Sequence, residues 1–283
     1  MPSADASTNE VVIQPSRGWV GLNLPELVRN RELLFFLVWR DVKAKYKQAT
    51  LGFMWALLVP VMSMLIYSVF GMLANLDDKL QIKVPYALYV FAGLIPWLFI
   101  QRALSDGGMS LVTQQSLLSK VYMPRLFLPT AACGNALVDM LIALFVMVVL
   151  ASYYMATAGF VPTYKLAFLP LAILLAIIAG VGIACLSSAA IVTYRDLKFI
   201  VPFFGQFGLW LSAVIYPPET LGEYRWLLAF NPLAGVISAF RSCIVGMPWD
   251  WPLLISSIVM CPLLLVVGVF YFKRVERNFA DIV

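Results

Sequence analysis

The sequence predicts an all-α integral membrane protein with six transmembrane helices, an N-terminal amphipathic interfacial helix and short re-entrant helices before the last span. Of the 283 residues, 62% are hydrophobic and 12% are charged, and the mean hydropathy is +0.88. A soluble domain has about 45–50% apolar and about 25% charged residues. Six apolar stretches are also long enough for a hydrocarbon core of about 30 Å, which roughly 20 helical residues cross. They cover residues 51–74, 86–104, 130–155, 166–193, 199–216 and 252–272.

The segment before the first span divides into a tail and a helix. Residues 1–22 are polar, without the pattern of a cleaved signal peptide, and are predicted to be a disordered cytoplasmic tail. Asn23, Pro25 and Glu26 provide a cap, a first-turn proline and a glutamate, which predict a helix over 23–50. Its apolar and basic residues recur on different faces, a pattern typical of a helix in the headgroup plane. The apolar set is Phe35, Trp39, Val42, Tyr46 and Ala49, and the basic set is Arg40, Lys43 and Lys47.

Two further readings concern the same helix. Asp41 and Lys45 stand four residues apart, so they are expected to form an ion pair on its surface. The alternative to a dedicated interfacial helix is an ordinary basic flank that anchors the first span to anionic lipid.

Lysine and arginine are distributed unevenly between the two sides of the predicted spans. Fifteen of the 20 fall on the same side as the N-terminus. The positive-inside rule therefore predicts that both termini are cytoplasmic, including the tail 273–283. The net charge of +5 follows from this topology and indicates no nucleic-acid partner. The five residues on the other side are Lys79, Lys83, Lys165, Arg225 and Arg241.

Small residues and prolines predict how the later spans pack. Gly180, Ala184 and Ser188 recur every four residues, which lets another helix approach closely in lipid. The fifth stretch contains Pro202 and two glycines and ends at a Pro-Pro pair, so it is expected to be bent or irregular. Region 218–251 is semi-apolar, and its segments 224–230 and 233–245 are each too short to cross, so they are expected to be re-entrant. Asn231-Pro232 is the expected turn between them.

Sets of catalytic residues typical of membrane enzymes are missing from the sequence. Histidine is absent, which removes the commonest general base and metal ligand. A glycosyltransferase usually needs a sizeable soluble domain, and an intramembrane protease needs a Ser-His pair or two intramembrane aspartates. The chain is therefore predicted not to be an enzyme. The four cysteines lack CxxC spacing and are expected to pack in the interior; they are Cys133, Cys185, Cys243 and Cys261.

Asp139 lies inside the third apolar stretch, where an ionisable side chain is costly and is by default a functional candidate. No histidine or second deep carboxylate accompanies it to form a proton relay, which argues against an ion-coupled secondary transporter. A structural role is favoured. The side chain is expected to face the interior of a dimer or to accept a hydrogen bond from Asn135, one turn earlier.

Three stretches of the sequence follow one another at distinctive spacings. They are Trp39-Arg40-Asp41-Val42-Lys43-Ala44-Lys45-Tyr46-Lys47-Gln48 with Leu51-Gly52-Phe53-Met54-Trp55 and Pro60; Tyr194-Arg195-Asp196-Leu197 with Ile215-Tyr216-Pro217; and Asn231-Pro232-Leu233 with Phe240-Arg241. Together they resemble the membrane-spanning subunit of bacterial ABC exporters of polysaccharides, which handle lipid-linked O-antigen, capsule or teichoic acid. The resemblance covers nearly the whole chain.

The resemblance implies six spans per subunit and a homodimer in the bacterial cytoplasmic (inner) membrane. It also implies two copies of a separate ATP-binding cassette subunit that bind ATP and Mg, with no cofactor in this chain. The sequence agrees, since it contains no GxxxxGK[ST] phosphate loop. The expected cargo is a lipid-linked polysaccharide, O-antigen foremost, with membrane lipids as the surrounding partners. Alternatives are teichoic acid, capsule, or a non-glycan lipid or drug, and more remotely an ion-coupled secondary transporter.

Two groups of residues are candidates for function on this reading. Residues 105–125 resemble the family's coupling segment and, with the 23–50 helix, are expected to contact the ATPase. Aromatic side chains would line the path of the sugar, because they offer rigid contact without strong charge; the alternative is ordinary packing or an interfacial belt. The ATPase-contact candidates are Arg40, Asp41, Lys43, Lys120, Tyr122 and Arg125, and the path candidates are Phe199, Phe203, Phe207, Trp210, Tyr67 and Trp97.

Overall fold

The computed structural model describes residues 29–47, 54–73, 84–118 and 123–276, and this part of the chain is helical without a β-strand. Two 3₁₀ helices, Tyr164–Phe168 and Pro218–Phe230, interrupt the α-helices. The α-helices are α1 (Arg31–Lys47), α2 (Met54–Leu73), α3 (Tyr86–Thr113), α4 (Gln115–Leu118), α5 (Phe127–Ala158), α6 (Leu169–Thr193), α7 (Leu197–Leu211), α8 (Pro232–Val245) and α9 (Trp251–Glu276).

Five helices in the described ranges are long and apolar enough to cross a membrane: α2, α3, α5, α9, and α6 with the 3₁₀ turn before it. The predicted class, an all-α integral membrane protein, is confirmed. The predicted start of the first helix at Asn23 and the first residues of the first span lie outside the described residues.

α3 occupies the centre of the bundle. Of its most apolar window, 72% is buried, against 22–28% in the other four long helices. It packs against α2, α5, α6, α7 and α8. A helix that is apolar on all sides, as α3 is from Tyr86 to Ile100, is stable only where other helices surround it.

The predicted small-residue stripe of α6 packs closely on α3, so that prediction is confirmed. Gly180 lies beneath an aromatic ring of α3, and Ala184 lies so close to Gly107 that a methyl group there has no space. The Ser188 and Ser110 hydroxyl oxygens are 3.5 Å apart. On another side of α6, Gly182 meets the backbone of α9 directly. All four cysteines are buried free thiols, as expected.

Several helices run beyond their predicted ends. The second predicted span, 86–104, lies inside α3, which continues as one helix to Thr113. Its last turns pack on α6, where Gly108 leaves space for Ser187, and this tertiary contact keeps them helical. Residues 105–113 therefore belong to α3, and the short helix α4 follows them. α5 and α9 likewise extend past the predicted limits, to Ala158 and Glu276.

The fifth predicted span, 199–216, is wrong at its C-terminal end. α7 stops at Leu211 after 15 residues, a length of about 22 Å at about 1.5 Å per residue. Residues 212–216 are turn and bend, with Ala213 at φ 52°. The irregularity expected in this stretch is present in the five residues that follow the helix.

The re-entrant prediction agrees with the chain path between α7 and α9. The 3₁₀ helix Pro218–Phe230 and α8 form two short arms that meet at 116°. Asn231 stands at the corner and caps α8, since its side chain accepts a hydrogen bond from the Leu233 amide at 3.0 Å. Pro232 occupies the first turn of α8, where its missing N–H needs no partner.

Candidate functional site: the α1 contact and the break after α7

α1 docks on α5 through one narrow apolar side. Leu37 is 2% exposed, and Val38 covers a glycine of α5. The predicted apolar face is divided, because Tyr46 turns towards the bundle while Phe35 and Trp39 remain 71% and 59% exposed. α1 thus has one side for protein and one aromatic side, which suits a helix at a membrane surface.

Asp139 is the point where α1 meets the spans. The side chain of this α5 residue is 10% exposed and accepts a hydrogen bond from the Lys45 ammonium at 2.6 Å. Arg102 of α3 and the Tyr46 hydroxyl also donate to its two carboxylate oxygens. The predicted donor Asn135 is wrong, since the described donors to Asp139 are Lys45, Tyr46 and Arg102. One carboxylate therefore joins three helices.

The predicted Asp41–Lys45 pair is also wrong. Asp41 pairs with Arg40 instead, at 2.7 Å, and Arg40 donates to the Gln114 side-chain oxygen at 2.8 Å. Gln114 follows the last residue of α3, so this network ties α1 to α3. Lys45 turns to Asp139 because a carboxylate sheltered from water attracts an ammonium more strongly than one on an open helix surface.

A polar cavity of about 340 Å³ lies between α1, α3 and α5. Asp41, Lys45, Arg102 and Asp106 all line it. Burial, with the positive charge of Arg102 nearby, lowers the pKa of Lys45 to about 8. The structure thus places two cations, Lys45 and Arg102, against the Asp139 carboxylate.

The candidates for ATPase contact that the structure describes lie at one end of the bundle, here named the basic end. Arg40 and Asp41 belong to the network with Gln114, whereas Lys43 is exposed. Arg125 donates to the backbone oxygen of the last residue of α9 at 3.0 Å. Lys120 and Tyr122 lie outside the described residues.

The aromatic stripe of α7 is exposed along its whole length. The exposed fractions are 72% for Phe199, 58% for Phe203, 52% for Phe207 and 50% for Trp210. The Phe203 and Phe207 rings touch, with centroids 4.2 Å apart. α7 contacts the bundle through a narrow inner side only; this side consists of Val201, Gly205 and Leu209.

The other two path candidates are less accessible. Trp97 is 3% exposed and packs over Gly208 of α7, behind the stripe. Tyr67 of α2 is half-buried against the main core. The structure therefore groups four candidates on one free surface and separates these two from it.

A buried arginine stabilises the irregular backbone after α7, at the end of the bundle opposite the basic end, here named the far end. Arg241 of α8 is 3% exposed and donates to the Ala213 carbonyl at 2.9 Å and to the Val214 carbonyl. Its guanidinium also lies 3.9 Å from the centre of the Tyr89 ring. Unwound backbone is tolerated in a membrane protein only where such donors satisfy its carbonyls.

Further side chains complete this contact. Asn231 donates to the Ser212 hydroxyl at 2.9 Å and to the Leu211 carbonyl at 3.2 Å. The Tyr86 hydroxyl donates to the Ile215 carbonyl at 2.9 Å. Sequence reasoning missed these roles, although Asn231 and Arg241 both stand in the third of the stretches that carry the resemblance.

A profile of the ABC-2 type transporter family matches residues 32–245, from the second residue of α1 to the last residue of α8. The chain belongs to the ABC-2 type transporter family. The O-antigen export system permease protein RfbA of Myxococcus xanthus is 27% identical over 258 residues, 89% of this chain and 96% of the relative. RfbA of Klebsiella pneumoniae is 22% identical over 255 residues, 89% and 95% of the two chains. The polysialic acid transport protein KpsM of Escherichia coli is 23% identical over 208 residues, 73% and 78% of the two chains.

Both contacts described above lie inside the part of this ABC-2 chain that the family profile covers. The Asp139 contact involves α1, α3 and α5, and the Arg241 contact involves α3, the segment after α7, and α8. α9 follows the matched range and packs on α6 and α8.

Proposed function

We propose that this chain is the transmembrane subunit of an ATP-driven exporter that carries a lipid-linked polysaccharide, O-antigen foremost, across the bacterial cytoplasmic membrane. The similarity to two permeases named for O-antigen export, each over 89% of this chain, is the observation that supports it. The similarity to KpsM supports a glycan of the polysialic acid type as the second candidate.

The ATPase belongs to another chain on this proposal. The 283 residues contain no GxxxxGK[ST] motif, so two copies of an ATP-binding cassette subunit would bind ATP and Mg. They would contact the basic end, where α1, α4 and the last turn of α9 are found. The residues proposed for this contact remain Arg40, Asp41, Lys43, Lys120, Tyr122 and Arg125.

The proposed transport unit is a homodimer with both termini in the cytoplasm. The α7 stripe of each copy would line the path, because flat aromatic faces hold sugar rings without fixing them by charge. Phe199, Phe203, Phe207 and Trp210 already lie on an open surface. Trp97 would reach the path only if α7 moved away from α3, and Tyr67 would stand at its edge.

Export by inside-out membrane vesicles tests the proposal. Vesicles that contain this chain and its cognate ATPase should move labelled lipid-linked glycan into the lumen when ATP is added. Vesicles that lack one of the two subunits should not move the glycan. Uptake that depends on a proton or sodium gradient and ignores ATP would overturn the proposal, and ATP-driven movement of a drug alone would reassign the cargo.

The stripe has its own test in the same vesicles. The double variant Phe207→Ala with Trp210→Ala should lower the rate of glycan export at least fivefold while leaving dimer and ATPase assembly intact. Phe145→Ala is the matched control, since Phe145 is a 65% exposed phenylalanine on α5. Equal export by the stripe variant and the control would remove the stripe from the path.

A further inference from the structure

We propose that Asp139 is a positioning residue that ties α1 to α3 and α5, so that a movement of α1 is transmitted to the two helices. The inference rests on the proposed function, because it takes the ATPase as the source of force on α1. It concerns how the basic end is connected internally, and not which residues touch the ATPase.

The Asp139 side chain, which belongs to α5, accepts hydrogen bonds from side chains of both α1 and α3. Lys45 and Tyr46 approach it from the last turn of α1, and Arg102 approaches from α3. The carboxylate is buried in α5 with two cations against it. A charged group at this depth is retained at an energetic cost, which a packing role alone would not require.

The other described contacts of α1 lie earlier along the helix than Lys45 and Tyr46. Leu37 and Val38 hold the middle of α1 on α5 through apolar packing. Arg40 and Asp41 bond to Gln114, next to α3. Among the helices that the structure describes, α5 is the main contact of α1. Among the contacts described for the last turn of α1, Asp139 is the group that joins this turn to both α3 and α5.

The polar cavity beside Asp139 decides how a variant would behave. Lys45 and Arg102 both line this space, together with Asp106 and Asn135. If the Asp139 charge is removed, the two cations have polar groups and room for water within reach. Asp139→Asn should therefore fold, yet α1 should no longer be held firmly to α3 and α5.

The experiment measures how much glycan is exported per ATP hydrolysed by the reconstituted complex of this chain and its ATPase. Asp139→Asn should keep ATP hydrolysis within twofold of the wild type and lower the export per ATP at least fivefold. Asp139→Glu, which retains the charge, should restore at least half of the wild-type ratio. Lys45→Gln removes the same ion pair from a side chain that is 40% exposed, and should lower the ratio even if Asp139→Asn fails to fold.

Asp250→Asn is the matched control. Asp250 is 7% exposed and pairs with Arg225 at 2.6 Å, so burial and geometry resemble those of Asp139, but the pair lies at the far end. Its export per ATP should stay within twofold of the wild type.

An unchanged ratio in Asp139→Asn or Lys45→Gln, with wild-type export measurable, overturns the inference. So does lower protein yield or stability with the ratio preserved, which would identify a purely structural ion pair. If the wild type exports no glycan with ATP, the proposed function itself fails, and the two failures are thus distinguished.

Discussion

Substitution of Asn231 tests the break after α7 most directly, because this side chain serves two separate purposes. Its oxygen accepts from the Leu233 amide at 3.0 Å and caps α8. Its amide nitrogen donates to the Ser212 hydroxyl at 2.9 Å and to the Leu211 carbonyl at 3.2 Å. Asn231→Ala removes both functions, whereas Asn231→Asp keeps the acceptor for the cap and removes the donor.

The size of each effect follows from these contacts. Loss of an N-cap costs about 1 kcal/mol, and each donated hydrogen bond contributes about 1 kcal/mol. The bond to Leu211 is exposed to solvent and contributes less. We therefore expect Asn231→Ala to lose about 2–3 kcal/mol of unfolding free energy and Asn231→Asp to lose about 1–2 kcal/mol.

The assay is reversible unfolding in mixed detergent micelles with increasing SDS, followed by tryptophan fluorescence. Thr220→Ala is a suitable control, since its hydroxyl bonds only locally, to the Pro217 carbonyl at 2.8 Å. We expect the SDS fraction at the unfolding midpoint to be highest for the wild type, lower for Asn231→Asp and lowest for Asn231→Ala. Equal stability of Asn231→Asp and the wild type would show that the donor bonds to Ser212 and Leu211 contribute nothing, and would refute the reasoning.

Three further outcomes are expected. Arg241→Met leaves two buried carbonyls without a donor, so it should lose about 2 kcal/mol or more in the same unfolding assay; an unchanged midpoint would contradict this role. Gly107→Ala should lose about 1–3 kcal/mol by overpacking, and Ala184→Gly in the same chain should recover part of that stability, because it removes the methyl group nearest to the new side chain. Single cysteines at Thr157 and Lys198, in a background without the buried native cysteines, should react with impermeant maleimide from the outside and the cytoplasm respectively; the reverse pattern would invert the proposed orientation.

Hydropathy predicted the existence of the long spans well, because a membrane helix needs little more than a sufficiently long apolar stretch. Helix ends were predicted poorly. The last turns of α3 are polar enough to be read as a loop, yet Gly107 and Gly108 allow them to pack on α6 and remain helical. That outcome depends on a partner helix far along the chain.

The α1 contact shows the same limit for charged residues. Helical spacing correctly places Asp41 and Lys45 within reach of one another, and on an isolated helix they would pair. In the folded chain each finds a different partner, because Asp139 is a better-shielded acceptor for Lys45 and Arg40 is adjacent to Asp41. A carboxylate inside an apolar stretch indicated that some cation must approach it, but only the fold could show which one.

Arg241 shows that the positive-inside rule can assign a residue to a side of the membrane without indicating its role in the structure. The positive-inside comparison treats it as one of five charges on the outer side. In the structure Arg241 is a buried donor for the backbone after α7. Its position is therefore explained by packing, and it does not count as a loop charge of the kind that the positive-inside rule compares. Removing it from the comparison leaves Lys79, Lys83, Lys165 and Arg225 on that side, which strengthens the predicted orientation. The sequence predicted irregular backbone in this stretch, but the position of the break depends on donors far along the chain, Asn231 and Arg241, which hydropathy does not register.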